Sequence, residues 1–122
     1  MINFGKLSKS FYYAWQGIFY AFKENQNIKI HIIVGTFVLL AGVLLGLSKY
    51  EIFSVGLLTV LVISAEMINT AIEEVVDLLI DEHNIHAKIA KDVCAGMVLL
   101  VSIFAALVGA FIFVPHILTL FY

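Results

Sequence analysis

The sequence predicts an all-α integral membrane protein: three membrane-crossing helices preceded by an amphipathic helix on the membrane surface. Two observations carry that class. Of the 122 residues, 62% are hydrophobic and only 13% are charged, against roughly 45–50% apolar and about 25% charged in soluble domains. A chain this short has too much surface to hide so much apolar side chain in water. The apolar residues also gather into three long runs separated by short breaks. The length suits one domain, 1–122, and not two ordinary ones.

Residues 1–27 form the surface element. Phe4, Leu7, Phe11, Ala14, Trp15, Ile18, Phe19 and Phe22 recur at helical spacing, interleaved with Lys6, Lys9, Gln16 and Lys23. That pattern suits a helix in the membrane interface, with Tyr12, Tyr13, Trp15 and Tyr20 at headgroup depth; simple anchoring accounts for most of these aromatics. The first span, 28–47, is apolar except for Lys29, His31 and Thr36. At 1.5 Å per residue it matches a hydrocarbon core of about 30 Å. It begins too late for an ordinary signal peptide, so retention of the N-terminal segment is expected. The second span, 52–80, is lipid-like in its first half and polar along one face of its second. The third, 88–114, contains an uncharged run over 93–114 that should end at Pro115, the only proline.

Lys6, Lys9, Lys23, Lys29, Lys88 and Lys91 fall on one side of this layout and Lys49 on the other. The positive-inside rule therefore places the N-terminus and the 81–88 loop in the cytoplasm of a cell (inner or plasma) membrane protein. Net charge is −2 and every basic residue is lysine. Neither a basic field for nucleic acid nor an arginine for bidentate phosphate binding is present. One cysteine, Cys94, excludes an internal disulfide and a paired-cysteine metal site; it reads as a small packing residue.

The chemistry concentrates on Glu66, Asn69, Glu73 and Asp77. On a helix they lie at about 0°, −60°, −20° and +20°, one narrow arc. Ionised groups at membrane depth are costly enough to mark a function. Glu66 and Glu73 are separated by roughly 10 Å along the axis and Asp77 lies about 6 Å further. With the span running inward, Asp77 faces cytoplasmic solutes and Glu66 the lipid. Glu73 and Asp77, one turn apart, are spaced to share a hard cation such as Mg²⁺. Glu66, removed from water, suits proton removal from an alcohol, and Asn69 can orient a neighbour. Glu74, at about +80°, falls off the arc and reads as an interfacial or subunit-contact residue. A polar seam or a proton relay without catalysis fits the same spacing.

Lys91 and Asp92 open the third span. The lysine can meet phosphate as a point charge, or merely snorkel beside a helix N-terminal aspartate. His83-x-x-His86 has metal-like spacing but reads as a solvated loop, and Gly42-x-x-x-Gly46 permits close helix packing. No phosphate-binding loop or protein-kinase motif is present, so nucleotide chemistry must come from carboxylates, metal and helix ends.

The run Glu66-Met67-Ile68-Asn69-Thr70-Ala71-Ile72-Glu73-Glu74-Val75-Val76-Asp77, followed by Ala90-Lys91-Asp92, resembles the signature of the small bacterial membrane lipid kinases. These are the prokaryotic diacylglycerol kinases and the Gram-positive undecaprenol kinases. The resemblance runs from Trp15-Gln16-Gly17 through the third span. It implies a homotrimer with sites shared between neighbours, and Mg²⁺-dependent transfer of the ATP γ-phosphoryl group to a lipid hydroxyl. It makes Glu66 the catalytic base with Asn69 beside it. Lys6, Tyr13, Glu24, Glu73, Asp77, Glu82, Lys91 and Asp92 would surround the nucleotide, with Glu73 and Glu24 on the metal. One departure stands out. The family pattern E-R-N-x-x-x-H aligns with Glu24-Asn25-Gln26-Asn27-Ile28-Lys29-Ile30-His31, so Asn25 occupies the usual glutamate position and Glu24 is expected to substitute for it. Gln16 likewise replaces a basic residue of the surface helix. Asn27-x-x-x-His31 and Phe113-Val114-Pro115-His116 resemble the Gram-positive branch, favouring undecaprenol over diacylglycerol. The rival from another class is a noncatalytic or proton-conducting membrane subunit.

Overall fold

The computed structural model describes residues 3–79 and 84–121. They form four helices: α1 (Phe4–Glu24), α2 (Gln26–Leu44), α3 (Lys49–Leu79) and α4 (Ile85–Leu118). The last three are each long and apolar enough to cross a membrane, as the three apolar runs require.

Local chemistry sets the helix ends. The Asn3 side chain accepts from the Lys6 N–H at 3.1 Å and starts α1. The helix stops at Asn25, whose backbone is extended (φ −94°, ψ 116°). Asn25 is also the N-cap of α2, its Oδ1 accepting from the N–H groups of Asn27 (2.7 Å) and Ile28 (3.3 Å). Satisfying these otherwise orphaned donors ends the first helix at Glu24 and starts the second at Gln26, ahead of the boundary expected at 27–28.

At the far end of α2, Gly46 adopts φ +75°, a conformation easy for glycine. The Leu47 N–H reaches the Gly42 carbonyl (3.0 Å) and the Gly46 N–H that of Val43 (3.2 Å), which is a Schellman closure. The Gly42–Gly46 pair is therefore no helix-packing motif: Gly42 is buried on α2 and Gly46 makes the turn. Ser48 and Glu51 then form a capping box for α3. The Ser48 N–H donates to Glu51 Oε2 (2.8 Å) and the Glu51 N–H to Ser48 Oγ (3.3 Å), satisfying two donors reciprocally.

Asn84 caps α4 through the N–H groups of His86 (2.9 Å) and Ala87 (3.3 Å). His86, expected in a loop, is consequently helical, and α4 begins three residues before the start expected at 88. Pro115 does not stop α4, which continues to Leu118. A proline removes one N–H and its bond to the preceding turn, but neighbours hold the chain here. The Thr119 N–H reaches the Pro115 carbonyl (3.2 Å), the His116 ring sits 3.0 Å from the Ile112 carbonyl, and the Thr119 hydroxyl donates to the His116 carbonyl (2.7 Å).

Helix α3 lies between α2 and α4, and α1 leans on the near ends of α2 and α3. Contact surfaces are narrow and built of modest side chains: Ala21, Ile28, Gly35, Gly42, Val55, Val62, Ala65 and Val98. Large side chains point outward, with Leu44 87% and Phe111 82% exposed. Lipid gives no hydrophobic reason to bury them, and small residues let helices approach. Gly35 shows the effect, because a Cβ there would stand 3.1 Å from Thr59 Oγ1 and 3.3 Å from Thr59 Cβ.

Candidate active site

The C-terminal half of α3 buries polar groups where its N-terminal half buries valines: Glu66, Asn69 and Thr70 join Ala65 on the covered face. At 31 residues α3 is about 46 Å long, some 16 Å more than a hydrocarbon core. Counting about 20 residues from Ile52, the length of a hydrocarbon core, reaches Ala71, so Glu66 falls within that count and Glu73 and Asp77 toward the C-terminal end of α3 beyond it.

Glu66 is 2% exposed. Its Oε2 accepts from Asn25 Nδ2 at 3.3 Å, and the same amide nitrogen donates to Thr70 Oγ1 at 2.7 Å. Thr70 in turn donates to the Glu66 carbonyl at 3.0 Å. His31 Nε2 lies 3.6 Å from Glu66 Oε1, within ion-pair reach of a charged imidazole but too far for a hydrogen bond. On its other side His31 lines an apolar groove of 470 Å³ between α2, α3 and α4, with Val34, Val38, Leu58, Val62 and Ala106 among its walls. His31 thus stands between the Glu66 carboxylate and a space suited to a hydrocarbon chain.

One turn further along α3, Asn69 Nδ2 donates to Glu73 Oε1 at 3.0 Å. Asn69 Oδ1 is buried without a partner. Ionised carboxylates only accept, which fixes the nitrogen toward Glu73 and leaves an uncommitted carbonyl oxygen beside it. Next along the face, the Asp77 carboxylate pairs with the Lys91 ammonium of α4. Glu74, read from sequence as an interfacial or subunit contact, accepts from the Tyr20 hydroxyl of α1 at 2.8 Å within the same chain. That hydrogen bond, with some desolvation, raises the Tyr20 hydroxyl above the ordinary tyrosine pKa.

The expected nucleotide and metal residues divide. Glu73, Asp77 and Lys91 share the arc. Glu24 does not reach it: its carboxylate lies 3.7 Å from Lys23 Nζ with 52% of its side chain exposed. Asn25 makes the contact with the arc in its place. Lys6, Tyr13 and Asp92 are exposed, and Tyr13 stacks edge-on with Tyr12 at 5.7 Å between centroids. Glu82 and His83 lie outside the described residues. Among the described residues no three His, Cys, Asp or Glu side chains gather as a metal site. Mg²⁺ does not require one, since it is commonly held by one or two carboxylates, water and substrate phosphates. Glu73 and the free Asn69 oxygen are the hard donors this fits.

Sequence reasoning missed His31, Thr70 and Tyr20 as neighbours of the arc. Thr70 was recoverable, one turn from Glu66 on the same helix. The other two arrive by packing of α1 and α2 on α3.

The model for prokaryotic diacylglycerol kinase matches residues 12–113. A diacylglycerol kinase of Synechocystis sp. is 43% identical over 113 residues, 91% of this chain but 64% of that protein, so the chain spans under two thirds of that relative. The undecaprenol kinase of Bacillus subtilis is 38% identical over 107 residues, 88% of this chain and 87% of that protein. Buried Glu66, the Asn69–Glu73 pair and the Asp77–Lys91 pair fall within the matched region, and the chain belongs to the prokaryotic diacylglycerol kinase family.

Proposed function

We propose that this chain is a membrane lipid kinase that transfers the γ-phosphoryl group of ATP to the hydroxyl of a lipid alcohol, with undecaprenol as acceptor. The carrying observation is Glu66, buried beside a His31 that lines an apolar groove, with Glu73 and the Asp77–Lys91 pair following it along α3. The lipid chain occupies the groove and presents its hydroxyl to Glu66. Glu66 takes the hydroxyl proton as the oxygen bonds to the γ-phosphorus and the bond to the ADP oxygen breaks. Mg²⁺, when bound, neutralises phosphate charge; Glu73 and the Asn69 carbonyl would hold it. Lys91 meets phosphate, and Asp77 keeps its ammonium on this face. Lys6, Tyr13 and Asp92 complete the nucleotide's surroundings.

Lysine distribution supports a cytoplasmic N-terminus and nucleotide end in the cell membrane. The apolar aromatics of α1 support a helix lying in that interface. A homotrimer follows from the family resemblance, and exposed Glu24 is then available to a site shared with a neighbouring subunit.

Asn27-x-x-x-His31 and the near-complete coverage of the Bacillus enzyme favour undecaprenol. The higher identity to the Synechocystis enzyme favours diacylglycerol, giving phosphatidic acid. Transfer of label from γ-labelled ATP, compared on the two lipids side by side, decides. Faster transfer to diacylglycerol would reverse the acceptor and leave the site roles intact. No transfer to any lipid alcohol, with pH-driven flux across vesicles, would replace the kinase with a proton-conducting assembly.

A further inference from the structure

The side chain of Asn25 uses all of its hydrogen-bonding directions on two tasks. Its Oδ1 caps α2 through Asn27 and Ile28, and its Nδ2 spans Thr70 and the Glu66 carboxylate. Because Oδ1 faces two backbone N–H donors, the amide cannot be turned over without losing both. The nitrogen is therefore fixed toward α3. Thr70 closes the ring by donating to the Glu66 carbonyl, so the amide grips the carboxylate and the backbone of the same residue.

We infer that Asn25 is a positioning residue: it holds the Glu66 carboxylate in its working orientation and fixes it to the junction of α1 and α2. A deep carboxylate on a single helix keeps rotamer freedom about several bonds. Asn25 removes that freedom from outside α3, at the point where the chain turns from α1 into α2. The groups facing Glu66 are then Asn25 on Oε2 and His31, the titratable neighbour, toward Oε1. Glu73 lies two turns further along α3, with Glu24 and Lys23 at the exposed end of α1.

Replacement by serine and by aspartate separates the two tasks. Asn, Asp and Ser are nearly equivalent N-caps, so a cap alone predicts equal behaviour in all three proteins. Positioning predicts an order. Asn25→Ser loses the donor, and Asn25→Asp also sets a second carboxylate against Glu66. A misplacement of about 1 Å costs roughly 10²-fold in rate. The expected kcat therefore falls roughly tenfold for serine and further for aspartate, with the KM for ATP unchanged. Equal kcat in the three proteins, or aspartate above serine, overturns the inference.

The contact has a readout besides turnover. The side-chain ¹⁵N amide signal of Asn25, assigned by its loss in Asn25→Ser, should shift in Glu66→Gln; an unchanged signal overturns the inference even if the variants fold poorly. This inference rests on Glu66 as the base. Wild-type protein that phosphorylates no lipid alcohol would sink that reading, while a shifted Asn25 signal would leave the contact standing.

Discussion

Replacing Glu66 by glutamine removes a proton acceptor and almost nothing else. The amide has the same shape, and its carbonyl oxygen can still accept from Asn25 Nδ2, now 3.3 Å from Oε2. Its NH₂ then faces His31 Nε2, 3.6 Å from the present Oε1. The fold should survive, because the NH₂ is the one buried group left without a hydrogen bond at that distance, a cost of about 1–3 kcal/mol. The chemistry should not. A general base contributes roughly 10²–10⁴-fold, or about 2.7–5.4 kcal/mol at 1.36 kcal/mol per decade. Three features set the position within that range. Glu73 lies roughly 10 Å away along the axis, too far to take over. The side chain of Glu66 is 3% exposed, which limits replacement by bulk water. Among the described residues His31 is the imidazole beside Glu66, and it keeps the loss below the upper limit. We expect kcat to fall about 10³-fold with both KM values within about twofold, the pattern of an interaction made only in the transition state. The assay is transfer of label from γ-labelled ATP to undecaprenol in detergent, with helicity checked by circular dichroism. A kcat within about threefold of wild type would refute Glu66 as the base.

Three further perturbations probe other levels of the structure. Lys91→Ala should raise the KM for ATP about tenfold through loss of one charged phosphate contact; unfolding should barely change, because exposed ion pairs contribute little, and an unchanged KM removes Lys91 from the nucleotide. Gly35→Ala should destabilise by about 1–2 kcal/mol from overpacking against Thr59, partly offset by helix propensity, and Thr59→Ala should restore stability in a double-mutant cycle; additive losses would show that the close approach is not at this pair. The folded pKa of Tyr20 is raised by Glu74, so its contribution is fully present below about pH 10, the unfolded value, and is lost as pH rises through the higher folded pKa; Tyr20→Phe should erase that alkaline loss in thermal melts, and parallel melting curves for the two proteins from pH 9 to 11 would exclude the link.

The class and the arc were legible because both depend on patterns internal to one helix. Runs of apolar residues mark spans, and spacings of three and four put Glu66, Asn69, Glu73 and Asp77 on one face whatever they pack against. Helix ends were read less well, although their chemistry was present in the letters. Ser48-Lys49-Tyr50-Glu51 is a capping box, Gly46 is a C-terminal stop, and Asn25 and Asn84 are caps. Each competes locally with the hydropathy pattern and decides the boundary to within a few residues. Pro115 misled in the opposite sense: a breaker by propensity, it is carried by the bonds around His116 and Thr119. Contacts between helices were not legible. Tyr20 to Glu74 spans 54 positions and Asn25 to Glu66 spans 41, and no periodicity reports on pairs so distant.

That difference changes the reading of Asn25. Alignment to the family pattern presents it as a missing carboxylate, and counting charge along the chain nominates its neighbour Glu24. Packing assigns the two side chains by direction instead. A residue whose backbone ends one helix and starts the next lies on neither helix's periodic face, so its side chain is aimed by the cap it makes. Once Oδ1 is committed to Asn27 and Ile28, Nδ2 must point at α3. Glu24, still helical, is directed by α1 toward Lys23. An aspartate at position 25 would cap equally well and would drive a second negative charge at a carboxylate already removed from water, at a Coulomb cost that rises as the local dielectric falls. With a neutral amide there, this chain keeps both the helix junction and Glu66 as the one buried carboxylate among the described residues.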